Sequence, residues 1–284
     1  MRVMTSNQWK CDVNYPAWKA RGEDSSSEGR AGGLIRAYQM VLPDVIGLQE
    51  VSTHMTDLMM PRMRSFQTAD GITVHYDIVT GGDTPLLYRD DRLELKASGF
   101  FRYDESVPGY DGCFNNSGTK SYTWGVFRDR NTGRRIAIMS THLWWMSSDP
   151  ISPEYQAYSD EARAYQIGLA IARMEQVSEK YGCPSLIVGD FNATIDSPCF
   201  VMIRQHGWIE AYDCTQGERD ETSGYHMCNA DGYAEAEPGS FAEAIDHVIL
   251  RKDCHLTVTE YKRVMEPWFN PISDHYPLYI GIAY

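Results

Sequence analysis

Short apolar runs recur along the chain, and each ends in a residue that can bind a cation or move a proton. In Pro184-Ser185-Leu186-Ile187-Val188-Gly189-Asp190-Phe191-Asn192-Ala193 the run passes through a glycine, after which Asp190 and Asn192 fall on one side of a continuing pleat. Asp44-Val45-Ile46-Gly47-Leu48-Gln49-Glu50 ends in a carboxylate, and Ile136-Ala137-Ile138-Met139-Ser140-Thr141-His142 ends in an imidazole. Asp246 and His247 sit inside the apolar strand Ala244–Leu250, and Ser273-Asp274-His275 brings an acid and an imidazole to the entrance of the last strand. An Asp/Asn turn accounts for any one such ending. Their recurrence favours buried strands that deliver ligands or bases to one edge.

Between these strands the periodicity is helical. Leu34, Ala37, Tyr38 and Val41 predict a helix ended by Pro43, preceded over Tyr15 to Gly33 by a polar surface insertion, Gly-Glu-Asp-Ser-Ser-Ser-Glu-Gly. Ser52 predicts a capped helix through Met60, stopped by Pro61. Ser159 predicts the cap of the longest helix, with Ile167, Ile171, Met174 and Tyr181 as its apolar stripe and Gly182 as its end. A shorter helix is expected over Ser197 to His206. Thr73 to Tyr103 alternates as strands, and Lys120-Ser121-Tyr122-Thr123-Trp124-Gly125-Val126-Phe127 is a further strand. Tyr103–Ser121 and Asp213–Gly239, rich in Gly, Asp and Ser, read as long loops over the active face, with His226 of the second a minor candidate for substrate contact. His54, His75 and His247 read as structural histidines.

The 284 residues suffice for one large domain, and no repeat or linker divides them. A net charge of −13 gives an acidic surface that repels polyanions and disfavours, without excluding, a nucleic-acid partner. Seven cysteines with no C-x-x-C pair fit neither a disulfide framework nor a zinc site, so reduced thiols in a cytoplasmic protein are expected. The start Met1-Arg2-Val3-Met4-Thr5-Ser6-Asn7 lacks the apolar core of a signal peptide, though export with the signal already removed is compatible with it. No run reaches transmembrane length, and a monomer is expected. No Gly-x-Ser-x-Gly element supports a serine hydrolase.

Taken in order, Asn7, Leu48-Gln49-Glu50, Ser140-Thr141-His142-Leu143, Gly189-Asp190-Phe191-Asn192, Ile245-Asp246-His247 and Ser273-Asp274-His275 resemble the endonuclease/exonuclease/phosphatase superfamily of metal-dependent phosphoester hydrolases, over nearly the whole chain. The resemblance implies an α/β (α+β) fold, a four-layer αββα sandwich of two mostly antiparallel mixed sheets flanked by helices, in one catalytic domain over 1–284. It implies hydrolysis of a phosphoester, in the first place a phosphodiester, by in-line attack of water with Mg²⁺ or Mn²⁺. These hard ions prefer oxygen ligands of the kind Asn7, Glu50 and Asp274 supply, with Glu50 as the principal one. Trp9, two positions after Asn7, stands where related enzymes often carry a second polar residue.

The remaining roles follow the same resemblance. His275 is the candidate base, oriented by Asp246, and Asp190 positions the water or helps deprotonate it. Asn192 holds phosphate or metal, while His142 donates to a phosphoryl oxygen or protonates the leaving group. Arg163 and Gln166 support the active-site loop. Trp144 and Trp145 are candidates for a substrate wall or for the core, and at least one of them should be exposed. Lys120 is a candidate phosphate contact, against the alternative of a solvated lysine. The acidic surface and aromatic loops favour a small, lipid-like or metabolite phosphoester; a nuclease is the rival enzyme and a non-catalytic binding module the remaining alternative.

Overall fold

The computed structural model describes residues 1–110, 114, 120–220, 228–229, 231–233 and 243–283. In chain order the elements are β1 (Arg2–Asn7), α1 (Pro16–Ala20), α2 (Ser27–Val41), β2 (Val45–Gln49), α3 (Thr53–Met63), β3 (Phe66–Gln67), β4 (Thr73–Val74), β5 (Tyr76–Val79), β6 (Leu86–Arg89), β7 (Leu93–Arg102), β8 (Ser121–Asp129) and β9 (Arg135–His142). There follow α4 (Ser159–Tyr181), β10 (Ser185–Asp190), α5 (Pro198–Gln205), β11 (Trp208–Glu210), α6 (Ala211–Cys214), β12 (Thr215–Arg219), β13 (Cys228–Asn229), β14 (Gly232–Tyr233), β15 (Asp246–Arg251), β16 (Thr257–Arg263) and β17 (Leu278–Ala283).

Two mixed sheets dominate, in the orders β12-β16-β17-β1-β2-β6-β5 and β11-β15-β10-β9-β8-β7. Most pairings are antiparallel, whereas β1 with β2, β9 with β10 and β12 with β16 run parallel. Parallel neighbours end at the same edge, so β1, β2, β9 and β10 finish together and carry Asn7, Glu50, His142 and Asp190 to one rim. The sheets face each other through Val3, Val45, Ile138, Leu186, Val188 and Ile280. Helices α2 and α3 cover the outer face of the first sheet, and α4 and α5 that of the second, which gives the expected four layers. Gly47 sits at a close approach of the two sheets, since a Cβ there would lie 2.5 Å from Val188 Cγ2. Beside it a buried polar chain crosses the sandwich. Thr5 Oγ1 donates to Gln49 Oε1 (3.0 Å), Gln49 Nε2 to Ser140 Oγ (3.0 Å), and Ser140 Oγ to the Leu48 carbonyl (2.8 Å).

Several local expectations are corrected. The serine-rich stretch is no surface insertion: Ser26 caps α2 by accepting from the Gly29 N–H, and Ser27 and Arg30 are buried. Arg30 holds the segment in place by donating to the carbonyls of Gln8, Trp9, Cys11, Ser25 and Ile272. Helix α3 runs through Pro61, because the buried stripe Met55, Met59, Met60 and Met63 outweighs the lost backbone bond. The cap of α4 is Tyr158 in the left-handed region, while Ser159 donates back to the Gln156 carbonyl. Part of the second expected loop is ordered, as α6 and edge strand β12; His226 lies outside the described residues. No helix among the described residues is long and apolar enough to cross a membrane.

Candidate active site

At the common rim three non-glycine residues turn the chain through the left-handed region: Trp9 (φ +50°), Glu50 (φ +56°) and Asn192 (φ +47°). Each such residue costs on the order of 1–2 kcal/mol, and each follows or forms one of the polar strand endings. The strain is thus concentrated where side chains must leave the sheets toward one another.

Asp190 is the centre of the arrangement and is almost wholly buried. Its Oδ1 accepts from the Asn192 N–H (2.8 Å), and its Oδ2 accepts from Asn7 Nδ2 (2.9 Å). Two imidazoles flank that same Oδ2, His142 Nε2 at 3.4 Å and His275 Nε2 at 3.9 Å. Each imidazole faces a carboxylate at Nδ1, but unequally: Asp246 Oδ2 hydrogen-bonds His275 at 2.6 Å, whereas Asp83 Oδ2 lies 3.6 Å from His142, beyond hydrogen-bond reach. Glu50 Oε1 is 3.8 Å from His142 Nε2, its Oε2 accepts from the Lys10 N–H (3.0 Å), and Asp274 Oδ1 is 4.0 Å from His275 Nε2. Lys120 Nζ lies 2.5 Å from His142 Nε2. An ammonium can only donate, so Nε2 accepts and the ring proton sits on Nδ1, toward Asp83.

The electrostatics follow from this crowding. Burial works against the charge on Asp190, but His142, His275 and Lys120 outweigh it and hold the carboxyl below its usual range. Burial likewise opposes the Glu50 charge, and His142, Lys120 and the Lys10 N–H overcome it to the same effect. Asp274 goes the other way: burial, with Glu50 and Asp190 nearby, pushes it up to about 7. Burial lowers the Lys120 ammonium, only partly offset by Glu50, Asp190 and Asp83. For His275, burial is outweighed by Asp246 and Asp274, which raise it well above the ordinary imidazole value.

The sequence-predicted residues therefore gather, with specific departures. Asn7 presents its amide nitrogen to Asp190 while its Oδ1 accepts from the Trp9 N–H, so it anchors a carboxylate and a turn instead of presenting a free oxygen. Lys120 is not solvated but buried against His142. Trp144 is 2% exposed and packs with Val107, Phe114 and Ala162, which removes it from a substrate wall, whereas Trp145 is 38% exposed. Gln166 accepts from the Trp144 N–H, and Arg163 donates to the Trp144 and Met146 carbonyls, so both brace the loop after His142. Asn192 Nδ2 bonds the Leu143 carbonyl. His247 faces away, between Glu210 and the Ala193 carbonyl. Asp83 went unrecognised; Gly81-Gly82-Asp83 looks like an ordinary turn, and only its contact with His142 sets it apart.

Ligand atoms of Glu50, His142 and Asp190 lie within 4.8 Å of one another, as do those of Asp190, Asp246 and His275. Glu50, Asp83, Asp190, Asp246 and Asp274 converge against one lysine and two imidazoles. A carboxylate surplus at a poorly solvated rim, built of oxygen donors, fits a hard divalent cation.

No family model and no curated relative matches the sequence. Solved structures do. The chain aligns with a mannosyl-6-phosphatase of Bacteroides thetaiotaomicron at 18% identity and a TM-score of 0.71, covering 100% of both chains. An endonuclease/exonuclease/phosphatase of Bacteroides vulgatus aligns at 21% identity and TM-score 0.71, over 99% of this chain and 98% of that one. TDP2 of D. rerio, complexed with a single-strand DNA product, aligns at 15% identity and TM-score 0.64, over 100% and 99%.

Proposed function

We propose that this chain, which has the fold of the endonuclease/exonuclease/phosphatase proteins, hydrolyses phosphoesters with the aid of a divalent metal ion, Mg²⁺ or Mn²⁺. The observation that carries the proposal is the pair of imidazoles on either side of Asp190 Oδ2, His275 hydrogen-bonded to Asp246 and His142 to Lys120. In-line displacement at phosphorus needs a base on one side and an acid on the other, and this is a two-sided arrangement.

Glu50, Asp190 and Asp274 are the residues proposed to hold the ion, which supplies charge neutralisation for the phosphoryl oxygens. His275 receives the proton of the attacking water at Nε2, with Asp246 fixing the ring through Nδ1. Asp246 and Asp274 raise the proton affinity of this ring, and positive charge held on the Asp190–Asp274 side would lower it toward that of a working base. Opposite, Lys120 and His142 share a proton, and this is the proton available to the leaving alkoxide. The buried ammonium also places a positive charge beside the phosphoryl oxygens. Asn192, with its amide nitrogen tied to Leu143, has its oxygen left for the ion or for an acid hydrogen on phosphate.

A basic groove for nucleic acid finds little support. Of the six cations that would build it, Arg30, Lys120 and Arg163 are buried in internal contacts, which leaves only Arg62, Arg64 and Arg128 exposed. The test is release of p-nitrophenol from bis(p-nitrophenyl) phosphate and p-nitrophenyl phosphate, with and without Mg²⁺ or Mn²⁺, against Asp190→Ala. Metal-dependent release that vanishes in the variant is expected; release from neither ester would refute the proposal.

A further inference from the structure

Beside Glu50 the surface sinks into a pocket of about 490 Å³ that shares two walls with the catalytic rim. One is Asp83, whose carboxylate faces His142; the other is Lys10, whose N–H holds Glu50. The remaining polar walls are Asp12, Ser52, Thr53 and His54, and Val51 is the apolar side chain among them. These groups are held in place. Asp12 Oδ1 accepts from the hydroxyls of Ser27 and Ser52 (2.5 and 2.8 Å), Asp83 Oδ1 accepts from Ser121 (3.1 Å), and His54 pairs with Glu28 (2.7 Å).

The chemistry of this lining selects its occupant. An acyl chain would desolvate two carboxylates and an ammonium with nothing in return. A second phosphate would face Asp12 and Asp83 as like charges. Hydroxyl groups suit it, since they donate to the carboxylates and accept from the Lys10 ammonium, while Val51 offers an apolar contact to the CH face of a saturated ring.

We infer that this pocket receives a polyhydroxylated group, so that the substrate is a phosphate ester of a sugar or polyol. The inference rests on the phosphoester-hydrolase reading of the adjoining site. In the reaction, water oxygen bonds to phosphorus as the bond from phosphorus to the sugar oxygen breaks. One water proton passes to His275, and the departing sugar oxygen takes the proton shared by Lys120 and His142. The products are the free sugar or polyol and inorganic phosphate.

The experiment compares glucose 6-phosphate, ribose 5-phosphate and sorbitol 6-phosphate with ethyl phosphate, all esters of primary alcohols, and with p-nitrophenyl phosphate. The enzymes are wild type and Thr53→Trp, each loaded with Mg²⁺ and, separately, with Mn²⁺. Thr53 opens α3 at the surface and takes no part in the chemistry. At least one sugar or polyol ester should exceed ethyl phosphate in kcat/KM by about 10²-fold, the scale of a few hydroxyl hydrogen bonds. Filling the pocket with Thr53→Trp should remove roughly 10-fold or more of that advantage through KM, read as the ratio of polyol-ester to ethyl phosphate kcat/KM within the same variant. If p-nitrophenyl phosphate is cleaved but no polyol ester outruns ethyl phosphate, or the variant slows all esters alike, the inference fails alone. If no ester is cleaved with either metal, the hydrolase reading falls and takes the inference with it.

Discussion

Asp246→Asn isolates the contribution of one carboxylate to the proposed base. Asp246 and His275 are 4% and 5% exposed, and 2.6 Å separates Oδ2 from Nδ1. The substitution keeps the shape and removes the charge. A hydrogen bond to a charged group contributes about 1.5–3 kcal/mol, so the folded state should lose about 2 kcal/mol in urea titration. If the same interaction is strengthened as His275 takes up the proton of water, about 2 kcal/mol on the barrier corresponds to roughly a 30-fold loss of kcat. An asparagine that stabilises the wrong tautomer could extend the loss to about 10⁴-fold. The assay is turnover of p-nitrophenyl phosphate at saturating Mg²⁺, with circular dichroism to verify the fold, repeated in a His275→Ala background. There Asp246→Asn should cost almost nothing further, because its target is gone. A folded Asp246→Asn enzyme with kcat within about threefold of wild type would refute the reasoning.

Other expectations follow from the same geometry. Glu50→Gln should leave the urea midpoint of the metal-free protein nearly unchanged and weaken Mg²⁺ affinity by roughly 10-fold or more; an unaltered metal titration removes Glu50 from the ligand set. Asp274, pushed up to about 7 from an ordinary value of about 4, gives the folded state more bound protons than the unfolded chain across that interval. The metal-free protein should therefore lose stability through this group as pH rises, and Mg²⁺ should displace the proton and restore it. Calorimetry in buffers of different ionisation enthalpy should show proton release on Mg²⁺ binding at about pH 6 that fades by about pH 8; release independent of pH contradicts this. Gly47→Ala should cost about 1–3 kcal/mol by overpacking the sheet interface, and an unchanged urea midpoint would mean that the sheets yield freely there.

The strand endings were legible because a buried apolar run that finishes in Glu50, His142 or Asp190 is a local pattern, and so was the sandwich that those runs and the helical stripes between them build. What escaped depends on partners distant in sequence. Lys120 borders a Gly/Asn/Ser loop and reads as solvated; it is buried because Glu50, Asp83 and Asp190 arrive from three other segments to face it. Asp83 has no local mark at all. The serine-rich stretch before α2 reads as a mobile insertion by composition, yet Arg30 finds carbonyl acceptors on two distant pieces of chain, Gln8–Cys11 and Ile272, and draws it inward. Of two adjacent tryptophans, one was expected to be exposed, but only packing against Ala162 and Phe114 decides that Trp144 is the buried one.

The polar chain Thr5–Gln49–Ser140 joins the two sheets directly behind the rim. Glu50 and Asp274 belong to the first sheet's side of that seam, and His142, Asp190 and Asp246 to the second's. Neither sheet alone owns a complete ion site, so a half-built chain has nothing for Mg²⁺ to grip. The ion would then be a seal on the finished sandwich and not a template for it: it should slow unfolding far more than it speeds folding, and the protein should reach its final form in a metal-starved cell.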